Sequence, residues 1–477
     1  VSVVAARKKR GMIEELFVSL HELIGGAVPL DQLKGLICIL AVIPIGVLTT
    51  FAPPSWKTAR HWMSIFISTF LMSVCLNEWA MVHSLFTASV TYVLVWKLPP
   101  NVAPYVVFAF AMTYMSVSHI YRMITDWGGW HLDFTASQMV VTLKLISFAF
   151  CCSDGKKSPE KMGRYQQEHR LTTLPSPLEF FGYIYFFPSF LCGPPIEMAD
   201  YLKWADSSMF QSMSNNRPPW TIIPAIKQML LAFLFFIPFG ISGMYPPSTL
   251  LTEEFGELPF IVRTLAVFPL LMVARAKYYL LWYLAEAGFI SCGFAFVGVK
   301  DGVVDWTRTK NVYPFLCEFG DNVQTKTRGW NIKVSDWLKY YVYLRLMPEG
   351  ARSPPFYVTM ATYGVSAFWH GFYPGYYLFF CTFAILDQLA RKIKAHIRPF
   401  FLPEGTAKKK LYDVICFFCA NCVANYIGVS FVILDLSAVF TFWGNQYYWG
   451  HIAVLSLFSF LTFYGMFAPK KDAKKEK

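Results

Sequence analysis

Residues 363–380, "YGVSAFWHGFYPGYYLFF", set His370 in an aromatic and aliphatic run long enough to enter a bilayer. An ionisable ring at that depth is costly, and the default reading is function. The chemistry open to an imidazole is to accept and return a proton. Trp369 and Gly371 flank it and Ser366 precedes it by four residues; a glycine lets a ligand or a second backbone approach closely. Two other histidines compete for such a role, His83 in "EWAMVHSLF" and His119 in "SVSHIYRM". Glu78 lies five residues before the first and Arg122 three after the second, so both also read as structural histidines served by helix neighbours. Asn331, in "TRGWNIKVSDWLKYYVYLRL", carries an amide that can donate to an oxyanion but cannot act as a base; taken alone, it reads as a helix N-cap. Cys416, Cys419 and Cys422 in "CFFCANC" have ligand spacing, but no histidine or fourth cysteine lies near in sequence and the segment reads as a lipid-embedded helix, so no metal site is expected.

What must hold these residues is a membrane protein. Of 477 residues 55% are hydrophobic and only 15% charged, with a mean hydropathy of +0.40; a soluble chain carries about a quarter charged residues. Apolar runs recur at 35–51, 63–76, 79–96, 102–121, 137–152, 178–192, 222–244, 259–285, 289–299, 356–372, 374–390, 411–434 and 452–467. With split segments allowed for, these make roughly ten to twelve membrane helices. The expected fold is an all-α polytopic bundle of roughly eleven transmembrane helices with short amphipathic helices in its loops. Residues 1–34 read as a basic arm and an interfacial helix, 35–467 as the transmembrane domain, and 468–477 as a basic tail.

The net charge of +12 sits largely in loops and tails, as expected where loops face the cytosol and anionic lipid headgroups. No folded basic soluble domain is present, so nucleic acid is excluded as a partner. The two long polar loops, 153–177 and 300–353, are both basic and should be cytosolic. Within the second, Trp330, Val334, Trp337, Leu338, Tyr341 and Leu344 follow helical spacing and mark one apolar stripe, with Lys333, Asp336, Lys339 and Tyr340 opposite. The C-terminal Lys-Lys-Glu-Lys has the form of a dilysine retrieval signal of endoplasmic-reticulum membrane proteins, or is a solvated charged tail.

The "WN…WL" segment in a basic loop, followed some forty residues later by "SAFWHG", resembles the membrane-bound O-acyltransferase family. "WHLDFTASQMVVTLKLISFAF" and "GPPIEMADY" extend the resemblance to its lysophospholipid acyltransferase branch, over about residues 35–467. The resemblance implies that His370 and Asn331 are the catalytic His–Asn pair of that family. It implies acyl transfer from acyl-CoA, a co-substrate with no cofactor required, to the sn-2 hydroxyl of a lysophospholipid drawn from the membrane lipids. It further implies a multi-pass protein of the endoplasmic-reticulum membrane with a reaction chamber inside the bundle. Trp330, Lys333, Trp337, Lys339 and Trp369 stand near the pair in sequence and are candidate substrate contacts, the lysines together with Arg345 for CoA phosphates. Within the same family the acceptor could instead be a sterol, a diacylglycerol or a protein. From another class, a secondary transporter would use His370 in a proton relay, although the internal repeat common in such proteins is not found.

Overall fold

The computed structural model describes residues 12–26, 28–76, 80–129, 131–351 and 354–467. The basic arm before Met12, the charged tail and Glu78 lie outside them. The described chain is helical apart from one antiparallel hairpin, Gly298–Lys300 with Val303–Asp305. The main helices are α1 (Met12–Leu23), α2 (Leu30–Thr49), α3 (Lys57–Cys75), α4 (Ala80–Lys97), α5 (Ala103–Thr125), α6 (Phe134–Asp154), α7 (Pro177–Ile184), α8 (Met198–Ala205) and α9 (Phe260–Ser291). They continue with α10 (Pro314–Phe319), α11 (Val323–Gly329), α12 (Ile332–Leu338), α13 (Phe356–His370), α14 (Pro374–Lys392), α15 (Ala407–Ile433), α16 (Leu436–Asn445) and α17 (Trp449–Phe467).

Six described segments are long and apolar enough to cross a membrane: Leu30–Thr49, Ala103–Thr125, Phe134–Asp154, Ile222–Leu251, Ala407–Ile433 and Trp449–Met466. The count read from sequence is larger because it included runs such as 356–372, whose helix α13 has 15 residues. In Ile222–Leu251 the side chains of Ile223, Leu230, Leu234 and Ile237 are exposed, as expected of a helix whose apolar surface meets lipid rather than protein.

The chain forms two compact units. The first takes the chain as far as Phe236, then Tyr278–Val312 and Asn331–Arg345; the second takes Ile237–Lys277, Tyr313–Trp330 and the chain from Leu346. At the centre of the first is α6, buried along nearly its whole length through Val141, Leu145, Ile146 and Phe148. Buried on every face, it has no side to offer water. Its one cation, Lys144, is fully buried and donates to the carbonyls of Tyr183 and Ile184, at 2.5 and 3.0 Å. Those carbonyls lie at the C-terminal end of α7, where backbone donors run out. Tyr183 still accepts from the Phe186 N–H at 3.2 Å, and Lys144 supplies a donor to Ile184. Buried Arg60 serves the end of α8 in the same way, donating to the Trp204 carbonyl at 2.9 Å and the Ser207 hydroxyl at 2.6 Å.

Substituting Lys144→Met keeps the shape and removes the donors. The Tyr183 carbonyl keeps the Phe186 N–H, but an orphaned buried Ile184 carbonyl costs about 1–3 kcal/mol, so the variant should melt earlier than wild type in detergent, followed by tryptophan fluorescence. An unchanged midpoint would show that the Ile184 carbonyl is satisfied another way.

The core of the second unit gathers Val267 and Leu271 of α9, Phe383, Leu386 and Leu389 of α14, Tyr426, Ile427 and Val429 of α15, Phe442 and Trp443 of α16, and Val454 and Leu461 of α17. Gly375 makes one junction in it possible. Its N–H donates to the Leu434 carbonyl at 2.9 Å, and a Cβ there would lie 2.1 Å from the Ser430 carbonyl oxygen. Only glycine allows the start of α14 to meet the end of α15 this closely.

Candidate active site

Asn331 opens the last segment of the first unit, with a left-handed backbone (φ 42°, ψ 55°). Asparagine tolerates that conformation better than most side chains. It occupies the N-cap position of α12, yet its side chain makes no capping bond. Asn311 caps instead: its carbonyl accepts from the Ile332 N–H at 2.8 Å and its Oδ1 from the Lys333 N–H at 3.0 Å. The remaining end of the Asn311 amide, Nδ2, donates to Asn331 Oδ1 at 3.3 Å. Asn311 is itself fixed from α9, where buried Glu286 accepts its backbone N–H at 2.8 Å. The second Glu286 oxygen accepts from Gln228 at 2.6 Å and Lys310 at 2.9 Å.

Beyond α12 the chain widens into a π-helical turn, Lys339–Tyr343, a feature frequent at functional sites. Trp337 is packed inside the unit, donating its indole N–H to the Leu143 carbonyl at 3.0 Å and stacking on Phe108. Glu197 of the "GPPIEMADY" segment accepts from the hydroxyls of Tyr165 and Tyr341, both at 2.8 Å. Tyr165 lies flat on Tyr340, ring centroids 3.5 Å apart. Lys333 Nζ is 3.9 Å from Asp336. Burial lowers the Lys333 ammonium pKa, with Asp336 and Asp200 opposing, and burial raises the Asp336 carboxyl. Burial also acts to raise Asp200, but His169, Arg308 and Lys203 outweigh it and hold that carboxyl down to about 2. Lys339 is exposed, its ammonium 4.9 Å from the Tyr340 ring centre. Arg345 pairs through both terminal nitrogens with Asp154, so its charge is already matched within the unit.

His370 and Trp369 belong to the second unit, as does Trp330. His370 is the last residue of α13, and Gly371 ends that helix at φ 115°, ψ −164°. That region is essentially closed to other residues. The ring is half-buried among Trp369, Tyr376, Phe380 and Phe431, with centroids at 4.7, 5.5, 5.2 and 5.1 Å. Tyr376 and Phe380 come from α14 and Phe431 from α15, the pair of helices that Gly375 brings together. Trp330 is half-buried and its backbone N–H donates to the Thr327 carbonyl at 3.3 Å. The stretch before it is pinned by Lys326, whose ammonium donates to the carbonyls of Cys317 and Glu318 and to Asn421 at 2.8, 2.9 and 2.6 Å. Burial lowers that ammonium to about 8, against the pull of Glu318.

In the first unit His83 shares a 2.9 Å bond with the Tyr114 hydroxyl and stacks on Phe134 at 3.8 Å, and His119 is buried. The cysteines of "CFFCANC" gather no metal-binding group among the described residues.

A sequence profile of the membrane-bound O-acyltransferase family matches residues 120–432, a stretch that includes both Asn331 and His370. This chain belongs to the membrane-bound O-acyltransferase family. It is 34% identical over 437 residues to a lysophospholipid acyltransferase of Schizosaccharomyces pombe, covering 89% of this chain and 85% of that protein. It is 29% identical over 468 residues to a lysophospholipid acyltransferase of Saccharomyces cerevisiae, covering 91% and 74%. It is 30% identical over 444 residues to membrane-bound glycerophospholipid O-acyltransferase 2 of Gallus gallus, covering 89% and 84%. Family membership and the long apolar helices make the chain a multi-pass membrane O-acyltransferase and set the transporter reading aside.

Sequence reasoning missed Asn311, Glu286 and Glu197. A signal existed for Glu286, an acid inside the apolar run "LLWYLAEAGFISCGFAF", which the cost of an intramembrane charge should have flagged. None existed for Asn311, twenty residues from its partner.

Proposed function

We propose that this protein is a lysophospholipid acyltransferase of the endoplasmic-reticulum membrane, using acyl-CoA to acylate the sn-2 hydroxyl of lysophospholipids. The observation that carries the reading is the similarity to proteins of that name over about nine-tenths of the chain. His370 accepts the proton of the acceptor hydroxyl as its oxygen attacks the thioester carbonyl carbon. The imidazolium so formed lies at the C-terminus of α13, where the helix dipole favours positive charge. The tetrahedral oxyanion accepts from the Asn331 amide. Collapse breaks the C–S bond, and the thiolate recovers the proton from His370. No acyl-enzyme is needed.

The acceptor is tested with purified protein in one membrane containing lysophospholipids, diacylglycerol and sterol, supplied with labelled acyl-CoA. Label should appear in diacyl phospholipid. Because the acyl chain supplies most of the binding, at about 0.8 kcal/mol per buried CH₂, choline, ethanolamine and serine lysolipids should differ by no more than about tenfold, or 1.4 kcal/mol. Label mainly in triacylglycerol or steryl ester would overturn the assignment.

A further inference from the structure

We infer that Asn311 is a positioning residue that decides which end of the Asn331 amide is offered for catalysis, an inference resting on Asn331 as the oxyanion donor. Asn311 is fully buried. One end of its amide faces the Lys333 backbone N–H at 3.0 Å. A backbone N–H can only donate, so that end is the oxygen. The other end, facing Asn331 at 3.3 Å, is therefore the NH₂ group, which requires an acceptor. Asn331 meets the requirement with Oδ1, and its own NH₂ becomes the end turned away from Asn311.

Without this contact the choice would be open. The terminal torsion of an asparagine is broad and nearly two-fold, so an unbraced Asn331 would present its oxygen for part of the time. An oxygen aimed at a developing oxyanion repels it, whereas preorganised donors are what stabilise that charge. Glu286 fixes the brace, since its Oε1 holds the Asn311 N–H while Lys310 and Gln228 occupy Oε2.

The test is Asn311→Asp. The new carboxylate still accepts from the Lys333 N–H but sets an oxygen against Asn331 Oδ1, and the Asn331 amide turns over. At about pH 8.5 turnover should fall roughly 100-fold with KM for lysophospholipid within about twofold. Added to Asn331→Ala, the substitution should slow the enzyme no further. Lowering the pH toward about 6 raises the fraction of the new carboxyl that is protonated, and in that fraction a donor toward Asn331 is restored. Glu286 of α9, a like charge, favours that protonation and Lys310 opposes it. The activity of the variant relative to wild type should therefore rise as pH falls, which a purely structural lesion does not predict. Asn311→Ser, which adds no buried charge, should lose about tenfold, again without further loss on top of Asn331→Ala, and covers the case in which the aspartate variant does not fold. If Asn331→Ala keeps wild-type turnover, the reading of Asn331 as a donor falls and this inference with it. If Asn331→Ala is crippled while both Asn311 variants work normally, or slow it further in proportion, the positioning role alone is wrong.

Discussion

His370→Ala should abolish acyl transfer, by about a hundredfold to ten-thousandfold if general-base catalysis is its whole contribution, in a protein that still folds and inserts. The ring is half-buried at the end of a helix, among aromatic side chains that also touch one another: Tyr376 meets Phe431 at 4.9 Å and Phe380 meets Phe431 at 6.1 Å. Removing the imidazole leaves that cluster with most of its own contacts, so the loss should lie in turnover more than in the melting midpoint. His83→Ala and His119→Ala are the controls. The first gives up a bond to Tyr114 and the stack on Phe134 and the second a buried ring, so both should lose some stability and keep substantial activity. CoA release and thermal unfolding measured on one preparation separate the effects. A folded His370→Ala protein turning over at the wild-type rate would end the proposed mechanism.

The features legible in the sequence were those written locally. Long apolar runs and helical spacing are properties of neighbouring residues, and the stripe Val334, Trp337, Tyr341 is buried as its spacing requires. The same stripe fails at Leu344, which is 46% exposed. The π-helical turn at Lys339–Tyr343 inserts an extra residue and rotates everything after it by about 100°. Val342 is buried and Arg345 turns in against Asp154. A 3.6-residue pattern cannot foresee that.

Charge was harder to read because the fold uses buried cations as helix ends. Lys144, Arg60 and Lys326 all donate to carbonyls at or near the C-termini of short helices. In sequence such residues look like loop charge or accidents within an apolar run; only the folded chain shows the helix-end carbonyls they serve. Asn331 is the sharpest case. Its place before α12 suggested a cap, and the residue that does the capping, Asn311, is distant in sequence with no periodic relation to it.

That division of labour fixes the expected behaviour of Asn331 variants. Asn331→Asp keeps an oxygen for Asn311 Nδ2 and a side chain that accepts the left-handed backbone, so its melting midpoint should stay close to wild type. It has no N–H to give an oxyanion, and turnover should fall about 100- to 1,000-fold, the usual effect of one missing donor. Asn331→Ala loses the donor too, and its Cβ carries the left-handed strain of about 1–2 kcal/mol without a polar side chain to offset it, so it should also melt earlier. Asn331→Gly loses the donor without that strain and should melt later than the alanine variant. Three variants would then share one catalytic defect and differ in stability, a pattern that a cap or turn residue cannot produce. Were turnover to follow the melting midpoint instead, with the aspartate variant active and only the alanine variant impaired, Asn331 would be a structural residue and the oxyanion would need another donor.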